Sequence, residues 1–214
     1  MKIKICGLKT SAALDTCITC GADMAGFVFF AKSPRFVDLQ QAQALARQAT
    51  GRIETVALVV DASDETLADI VASLNPDVLQ LHGAETPARV AEIRTRFGRP
   101  VMKAFGIATA SDITHMLQQA DVPDRLLLDA KPSADAILPG GNGLCFDWHL
   151  LEALQLPKPW LLSGGLNPDN VAEALRLTRA PGVDVSSGVE SRPGEKDLAR
   201  IAAFVAAARN APLP

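Results

Sequence analysis

The sequence predicts an α/β fold, a single-domain (β/α)8 TIM barrel of eight parallel strands spanning residues 1–214. Three observations predict it. Short apolar, β-branched runs alternate with amphipathic stretches along the whole chain, and sustained alternation of this kind calls for a parallel sheet. The runs are nearly continuous in apolar residues, as in Thr55-Val56-Ala57-Leu58-Val59-Val60, which suits strands buried on both faces. The glycine clusters fall late, after the sixth, seventh and eighth runs, and only Gly7 follows the first. An open doubly wound sheet would normally carry a glycine-rich turn after its first strand, so the closed barrel is favoured.

In order, strands are expected over residues 3–6, 26–30, 54–60, 78–82, 101–105, 126–130, 160–163 and 183–187, each followed by a helix. Leu39, Ala42 and Leu45–Ala46 share one helix face, as do Leu67, Ile70–Val71 and Leu74. Gly21 and Gly51 close helices as C′ residues, and Asn167-Pro168 reads as an N-cap with proline at the first helical position. No linker, second composition or low-complexity tract interrupts the pattern, which makes one domain the expectation.

Composition narrows the function. With 48% hydrophobic and 21% charged residues, the 214-residue chain has the material for one large core. Its 21 basic and 24 acidic residues give a net charge of −3, so no bulk positive field invites nucleic acid. No apolar run approaches the roughly 18 residues that span a bilayer, and the N-terminus lacks the apolar stretch of a signal peptide, so a cytoplasmic protein is expected. Tyrosine is absent and histidine occurs only at 82, 115 and 149, so proton transfer must draw on Asp, Glu, Cys, Lys or those few imidazoles. The four cysteines read as free thiols.

In such a barrel the active site gathers at the C-terminal ends of the strands. Gly164-Gly165 leads into a helix and Ser187-Gly188 ends the last strand, at the two loops where barrels commonly hold a phosphate on bare backbone amides. Arg35, in Lys32-Ser33-Pro34-Arg35 beyond the second strand, is either a rim arginine gripping a carboxylate or an ordinary surface residue. Cys6 and Asp129 end the first and sixth strands. A thiol whose pKa is lowered by a nearby cation can act as a base, whereas a free cysteine otherwise serves as a small buried apolar residue. A partly buried aspartic acid can serve as the acid. His82 ends the fourth strand, facing the mouth or orienting a neighbour. His115 and His149 fall in helical stretches and read as structural or exposed. Cys17-Ile18-Thr19-Cys20 lies at the end of the first helix, where the dipole opposes a thiolate, and no second ligand pair exists for zinc, so these are structural thiols.

Together these blocks resemble the N-(5′-phosphoribosyl)anthranilate isomerase family of tryptophan biosynthesis. The similarity runs in order through Lys4-Ile5-Cys6-Gly7-Leu8, Lys32-Ser33-Pro34-Arg35, Gln80-Leu81-His82-Gly83-Ala84-Glu85, Leu127-Leu128-Asp129 and Gly140-Gly141-Asn142-Gly143. It continues through Ser163-Gly164-Gly165-Leu166-Asn167-Pro168, Asp184-Val185-Ser186-Ser187-Gly188-Val189-Glu190 and Gly194-Glu195-Lys196-Asp197. The resemblance implies an Amadori rearrangement of N-(5′-phosphoribosyl)anthranilate to 1-(2-carboxyphenylamino)-1-deoxyribulose 5-phosphate. It implies Cys6 as general base, Asp129 as general acid, Arg35 on the anthranilate carboxylate, and Gly164, Gly165, Ser187 and Gly188 at the phosphate. His82 and Asp184 match further substrate-binding positions. No metal and no organic cofactor is implied, and the expected partner is the small-molecule substrate, bound by a monomer or homodimer.

Asn142, Lys9-Thr10 and Ser163 depart from the residues most usual at their positions in that family. Indole-glycerol-phosphate synthase, a related barrel, would need a catalytic lysine at a strand end, for which Lys103 is the candidate. The histidine-pathway isomerase would place Asp where Cys6 stands. A non-catalytic barrel holding a phosphorylated ligand would have no use for an acid–base pair.

Overall fold

Burial on both faces is what turns the apolar runs into strands, and the computed structural model closes them into a ring. It describes residues 1–132, 140–141, 143, 145–152 and 154–211. The barrel strands are β1 (Lys2–Cys6), β2 (Met24–Val28), β3 (Glu54–Val59), β4 (Val78–Leu81), β5 (Val101–Ile107), β6 (Arg125–Ala130), β7 (Trp160–Leu162) and β8 (Gly182–Val185). They pair in chain order, and β1 returns to β8 in parallel register, with Lys4 opposite Asp184. The helices α1 (Ser11–Thr19), α2 (Leu39–Ala49), α3 (Asp64–Leu74), α4 (Pro87–Phe97), α5 (Ala110–Leu117), α6 (Val171–Thr178) and α7 (Leu198–Arg209) form the outer layer.

The two-residue alternation of each strand sorts its side chains into two cores. Outward residues such as Ile3, Ile5, Phe27, Ala57, Val59, Leu79 and Leu126 pack under the helices in one large cluster. Inside the ring, Met24, Val56, Val78, Met102, Leu127 and Leu161 fill the lower layer. Cys6, Val28 and Leu58 form a smaller apolar cluster higher up. A filled lower interior leaves the C-terminal mouth as the place for a ligand.

Side-chain caps start most helices: Thr10, Asp38, Ser63, Thr86, Thr109 and Asp197 each accept a backbone N–H of the first turn. Each such cap contributes about 1 kcal/mol. Gly21 and Gly51 take left-handed backbone, at φ +80° and +70°, as expected of C′ residues.

Three expectations need correction. Asn167-Pro168 does not begin α6, which starts at Val171 with Asn170 as N-cap. Asn167 instead accepts the N–H groups of Asp169 and Asn170, so its side chain shapes a turn before the helix. Among the described residues after β6 there is only a 3-10 turn, Trp148–Leu151, and Pro157 and Pro159 soon afterwards bias the chain out of helical backbone. The last strand stops at Val185, and a short antiparallel hairpin, β9 (Glu190–Arg192) and β10 (Glu195–Lys196), follows it.

The last helix closes the structure. Phe204 is fully buried in the outer core, and Arg209 donates to the Met1 carbonyl at 2.7 Å, the Gly21 carbonyl at 2.8 Å and Asp23 Oδ2 at 2.6 Å. Phe204→Ala is expected to lower the free energy of unfolding by about 3–5 kcal/mol, the usual result of emptying a buried aromatic site. Urea unfolding measures it, and a loss below about 1 kcal/mol would mean that α7 contributes little to the core.

Candidate active site

Cys6, Asp129 and Asp184 come to one place because each occupies an inward-facing position at the C-terminal end of its strand. With Arg35, His82 and the glycine loops they line a cavity over the barrel mouth, about 760 Å³ including its opening to solvent. Gly164, Gly165 and Ser187 also line it. Of the residues expected at the site, Gly188 alone is not in the lining. It supports the loop from beneath: a β-carbon there would collide with the Leu166 carbonyl oxygen, so only glycine allows the loop after β8 to rest on the loop after β7.

The glycine loops have the character of an anion cradle. Among the described residues, the N–H groups of Gly164, Gly165, Ser187 and Gly188 donate to no backbone carbonyl. Asn170 fixes this region, donating through Nδ2 to the Gly165 carbonyl at 3.0 Å and accepting from Asn167 N–H at 2.8 Å. That is why it makes no side-chain cap of its own on α6. Preoriented amides of this kind favour an anion with little reorganisation.

Asp129 is buried, accepts the N–H of Ala130 through Oδ1 at 2.9 Å, and places Oδ2 3.3 Å from His82 Nε2. Gln80 Nε2 lies 3.2 Å from His82 Nδ1. With the Gln80 amide as donor there, Nδ1 is the acceptor and Nε2 is the ring nitrogen turned toward Asp129. The backbone on either side of His82 is clamped. Glu85 accepts from Gly83 N–H at 3.0 Å and Asp61 N–H at 3.0 Å, and Lys103 donates to Glu85 at 3.0 Å and to the Gly83 carbonyl at 2.7 Å. Lys103 faces outward into this clamp and does not line the cavity, which removes the lysine that the synthase reading needs.

Arg35 is almost fully buried. Glu190 takes its guanidinium edge in a two-point pair, Nε to Oε1 at 2.8 Å and Nη2 to Oε2 at 2.9 Å. Lys196 joins the same carboxylate at 2.8 Å and donates to the Ser186 carbonyl at 2.9 Å. Burial pushes Glu190 up, but Arg35 and Lys196 outweigh it and hold the carboxyl below its ordinary range. Lys196 is pushed down by its own burial despite Glu190. The hairpin thus ties Arg35 to the loop after β8, an arrangement the expected rim arginine did not include.

Beneath Cys6, Lys4 is wholly enclosed and pairs with Asp184 at 2.7 Å. Ser163 donates to the other Asp184 oxygen at 3.3 Å. Burial drives the Cys6 thiol above its ordinary range; Lys4 and Lys196 pull it the other way, and Asp184 adds to the rise. The expectation of a thiol lowered by a nearby cation meets a stronger opposing effect, desolvation. Lys4, Glu190 and Lys196 went unrecognised as site residues, although Lys-Ile-Lys-Ile-Cys puts Lys4 and Cys6 on one face of the strand.

Two departures have visible uses: in Lys9-Thr10, Thr10 caps α1 and Lys9 donates to the Pro34 carbonyl at 2.9 Å, and Ser163 holds Asp184. Asn142 lies outside the described residues. All four cysteines are free. Cys17 is buried, which pushes its thiol up to about 12, and His115 and His149 are exposed on the outer surface.

A closed (β/α)8 barrel with an anion cradle after its last two strands and a thiol and a carboxyl lining one mouth defines a sugar-phosphate-type barrel enzyme. Residues 3–207 match the family model described as N-(5′phosphoribosyl)anthranilate (PRA) isomerase, and the chain belongs to that family. It is 57% identical over 209 residues to the N-(5′-phosphoribosyl)anthranilate isomerase of Rhodopseudomonas palustris strain BisA53, covering 98% of this chain and 96% of the relative. It is 56% identical over 209 residues to that of Bradyrhizobium sp. strain ORS 278, covering 98% and 95%. The solved phosphoribosyl anthranilate isomerase of Thermotoga maritima superimposes with a TM-score of 0.86 at 32% identity, covering 98% of each chain. A phosphoribosyl anthranilate isomerase solved in complex with reduced 1-(o-carboxyphenylamino)-1-deoxyribulose 5-phosphate gives 0.83 at 30% identity, covering 98% of each chain. No helix among the described residues is long and apolar enough to cross a membrane.

The thiols give a direct check. At neutral pH, a maleimide should label exposed Cys145 quickly and leave Cys17 unmodified, because a group titrating near 12 is almost wholly protonated there. Peptide mass mapping reads the order, and labelling of Cys17 as fast as Cys145 would contradict its burial.

Proposed function

We propose that the chain isomerises N-(5′-phosphoribosyl)anthranilate to 1-(2-carboxyphenylamino)-1-deoxyribulose 5-phosphate in tryptophan biosynthesis, by general acid–base catalysis in the cytoplasm, with Asp129 as acid and Cys6 as base. What supports the reading above all is that both groups line one cavity between the glycine loops and Arg35. The phosphate would sit on the amides of Gly164, Gly165, Ser187 and Gly188, and the anthranilate carboxylate would lie toward Arg35. His82 would orient Asp129, and Asp184 would meet the sugar beside Cys6.

The substrate is an aminal, in which C1′ carries both the ring oxygen and the anilino nitrogen. Protonation of O4′ by Asp129 breaks the C1′–O4′ bond and leaves an iminium. That cation acidifies the C2′ hydrogen, which Cys6 removes as a thiolate, giving an enolamine. Tautomerisation moves the enol proton from the C2′ hydroxyl to C1′ and yields the ketone. Proton exchange with solvent then restores the acid and the base. Anchoring both ends of the substrate holds C2′ and O4′ against their partners, which can supply several kcal/mol of barrier reduction.

Cys6→Ala and Asp129→Asn are each expected to reduce kcat at least a hundredfold, in line with general acid–base contributions, in a fluorescence assay of phosphoribosylanthranilate consumption. A near-normal rate in either variant sinks the assignment of that residue. Arg35→Met should act mainly by raising KM, since Glu190 keeps Lys196 as a counter-ion and the loop retains a neutralised carboxylate. An unchanged KM would mean that the anthranilate carboxylate is held elsewhere. The enzyme works as a monomer or homodimer; one solved Thermotoga maritima structure is of monomers made from a dimeric form, and sedimentation of this chain distinguishes the two.

A further inference from the structure

We propose that Lys4, held by Asp184, is a positioning residue for Cys6: its enclosed ammonium stabilises the thiolate from below the sugar site. The inference rests on the reading of Cys6 as the base and supplies what that reading lacks, a source of thiolate in a desolvated place.

The geometry centres on Gly26. A β-carbon built there would meet Cys6 Sγ at 3.0 Å and Lys4 Nζ at 3.2 Å, so both groups use the space that a side chain on β2 would fill. The two atoms therefore lie within roughly 6 Å, the range over which an opposite charge favours ionisation. Lys4 has no exposed surface, so its charge acts through protein rather than through water. Asp184 at 2.7 Å keeps that ammonium charged: burial would drive its proton off, but Asp184 and Cys6 together more than compensate.

Among the described residues, the charged groups around the thiol come from three elements. From β1 comes Lys4 and from β8 comes Asp184, while the hairpin supplies Lys196. β2 and β3 offer only Gly26, Val28 and Leu58, which are uncharged. The neighbouring Arg35 is neutralised by Glu190. Among the described residues Lys4, Lys196 and Arg35 face Asp184 and Glu190, so a Cys6 thiolate would be flanked by more basic groups than carboxylates. Asp129 stands apart, in contact with His82 and the Ala130 amide.

The test follows alkylation of Cys6 by iodoacetamide across the alkaline range, with peptide mass mapping to separate it from the other thiols. The rate climbs with pH to a plateau; the midpoint reports the thiolate and the plateau reports access. Lys4→Met should move the midpoint up by about 1–3 pH units with the plateau unchanged. The same variant should lower kcat at neutral pH by tenfold or more while leaving KM near the parent value. A folded Lys4→Met enzyme whose Cys6 titrates where the parent's does would overturn the proposal. If the unpaired Asp184 prevents folding, Lys4→Met with Asp184→Asn removes both charges. In that pair of substitutions the midpoint should still lie above the parent's, because the ammonium outweighs the carboxylate at the thiol, and a midpoint at or below the parent's overturns it. The alkylation uses no substrate, so its outcome is separate from whether Cys6→Ala abolishes turnover.

Discussion

A lysine sealed inside a barrel cannot stay charged without a counter-charge, and the upper interior of this molecule is organised around supplying one. Lys4 and Asp184 occupy paired positions on the strands that close the ring, so the seam of the barrel is also its deepest ion pair. Removing either partner alone would leave a buried, uncompensated charge, which typically costs 3–5 kcal/mol. Ser163 satisfies the second oxygen of Asp184, and Gly26 leaves room for the ammonium and the thiol together. Above them Arg35, Glu190 and Lys196 repeat the device with the hairpin, so the floor and one wall of the cavity are both held by charge.

The opposite wall is built on different terms. His82 and Asp129 are positioned by a clamp of backbone groups, with Glu85 and Lys103 gripping the chain on both sides of the imidazole from outside the barrel wall. The thiol thus sits in a field of fixed charges, whereas the carboxyl meets an imidazole and a peptide N–H. The mouth therefore has a charged half around the thiol and a hydrogen-bonded half around the carboxyl.

Much of this was legible in the sequence. The eight strands, the closed order and the placing of Cys6, His82 and Asp129 within a residue of their strand ends followed from apolar runs and from where they stop, because double-sided burial leaves a strong local mark. The glycine pairs were legible for a similar reason, since bare amides need glycine. Lys4 was not, because alternation places it on an inward face but does not reveal the counter-ion 180 residues away that makes the placement tolerable. Glu190 was hidden likewise: its value to Arg35 depends on a hairpin whose own residues are polar and unremarkable in pattern. Among the described residues the 3-10 turn after β6 goes with prolines further along, and the late start of α6 with an asparagine whose amide is spent on a glycine carbonyl rather than on a cap.

The clasp of Arg209 on Met1, Gly21 and Asp23 sets the order in which the molecule can be made. β1 pairs with its sequence neighbour β2, yet it gains its second neighbour only from β8, and α7 lies beyond that strand. Until β8 docks, Lys4 has no partner and β1 has an open edge. The lysine that organises the interior is thus uncompensated until strands about 180 residues apart meet, which makes closure of the ring a long-range and intrinsically slow step of folding.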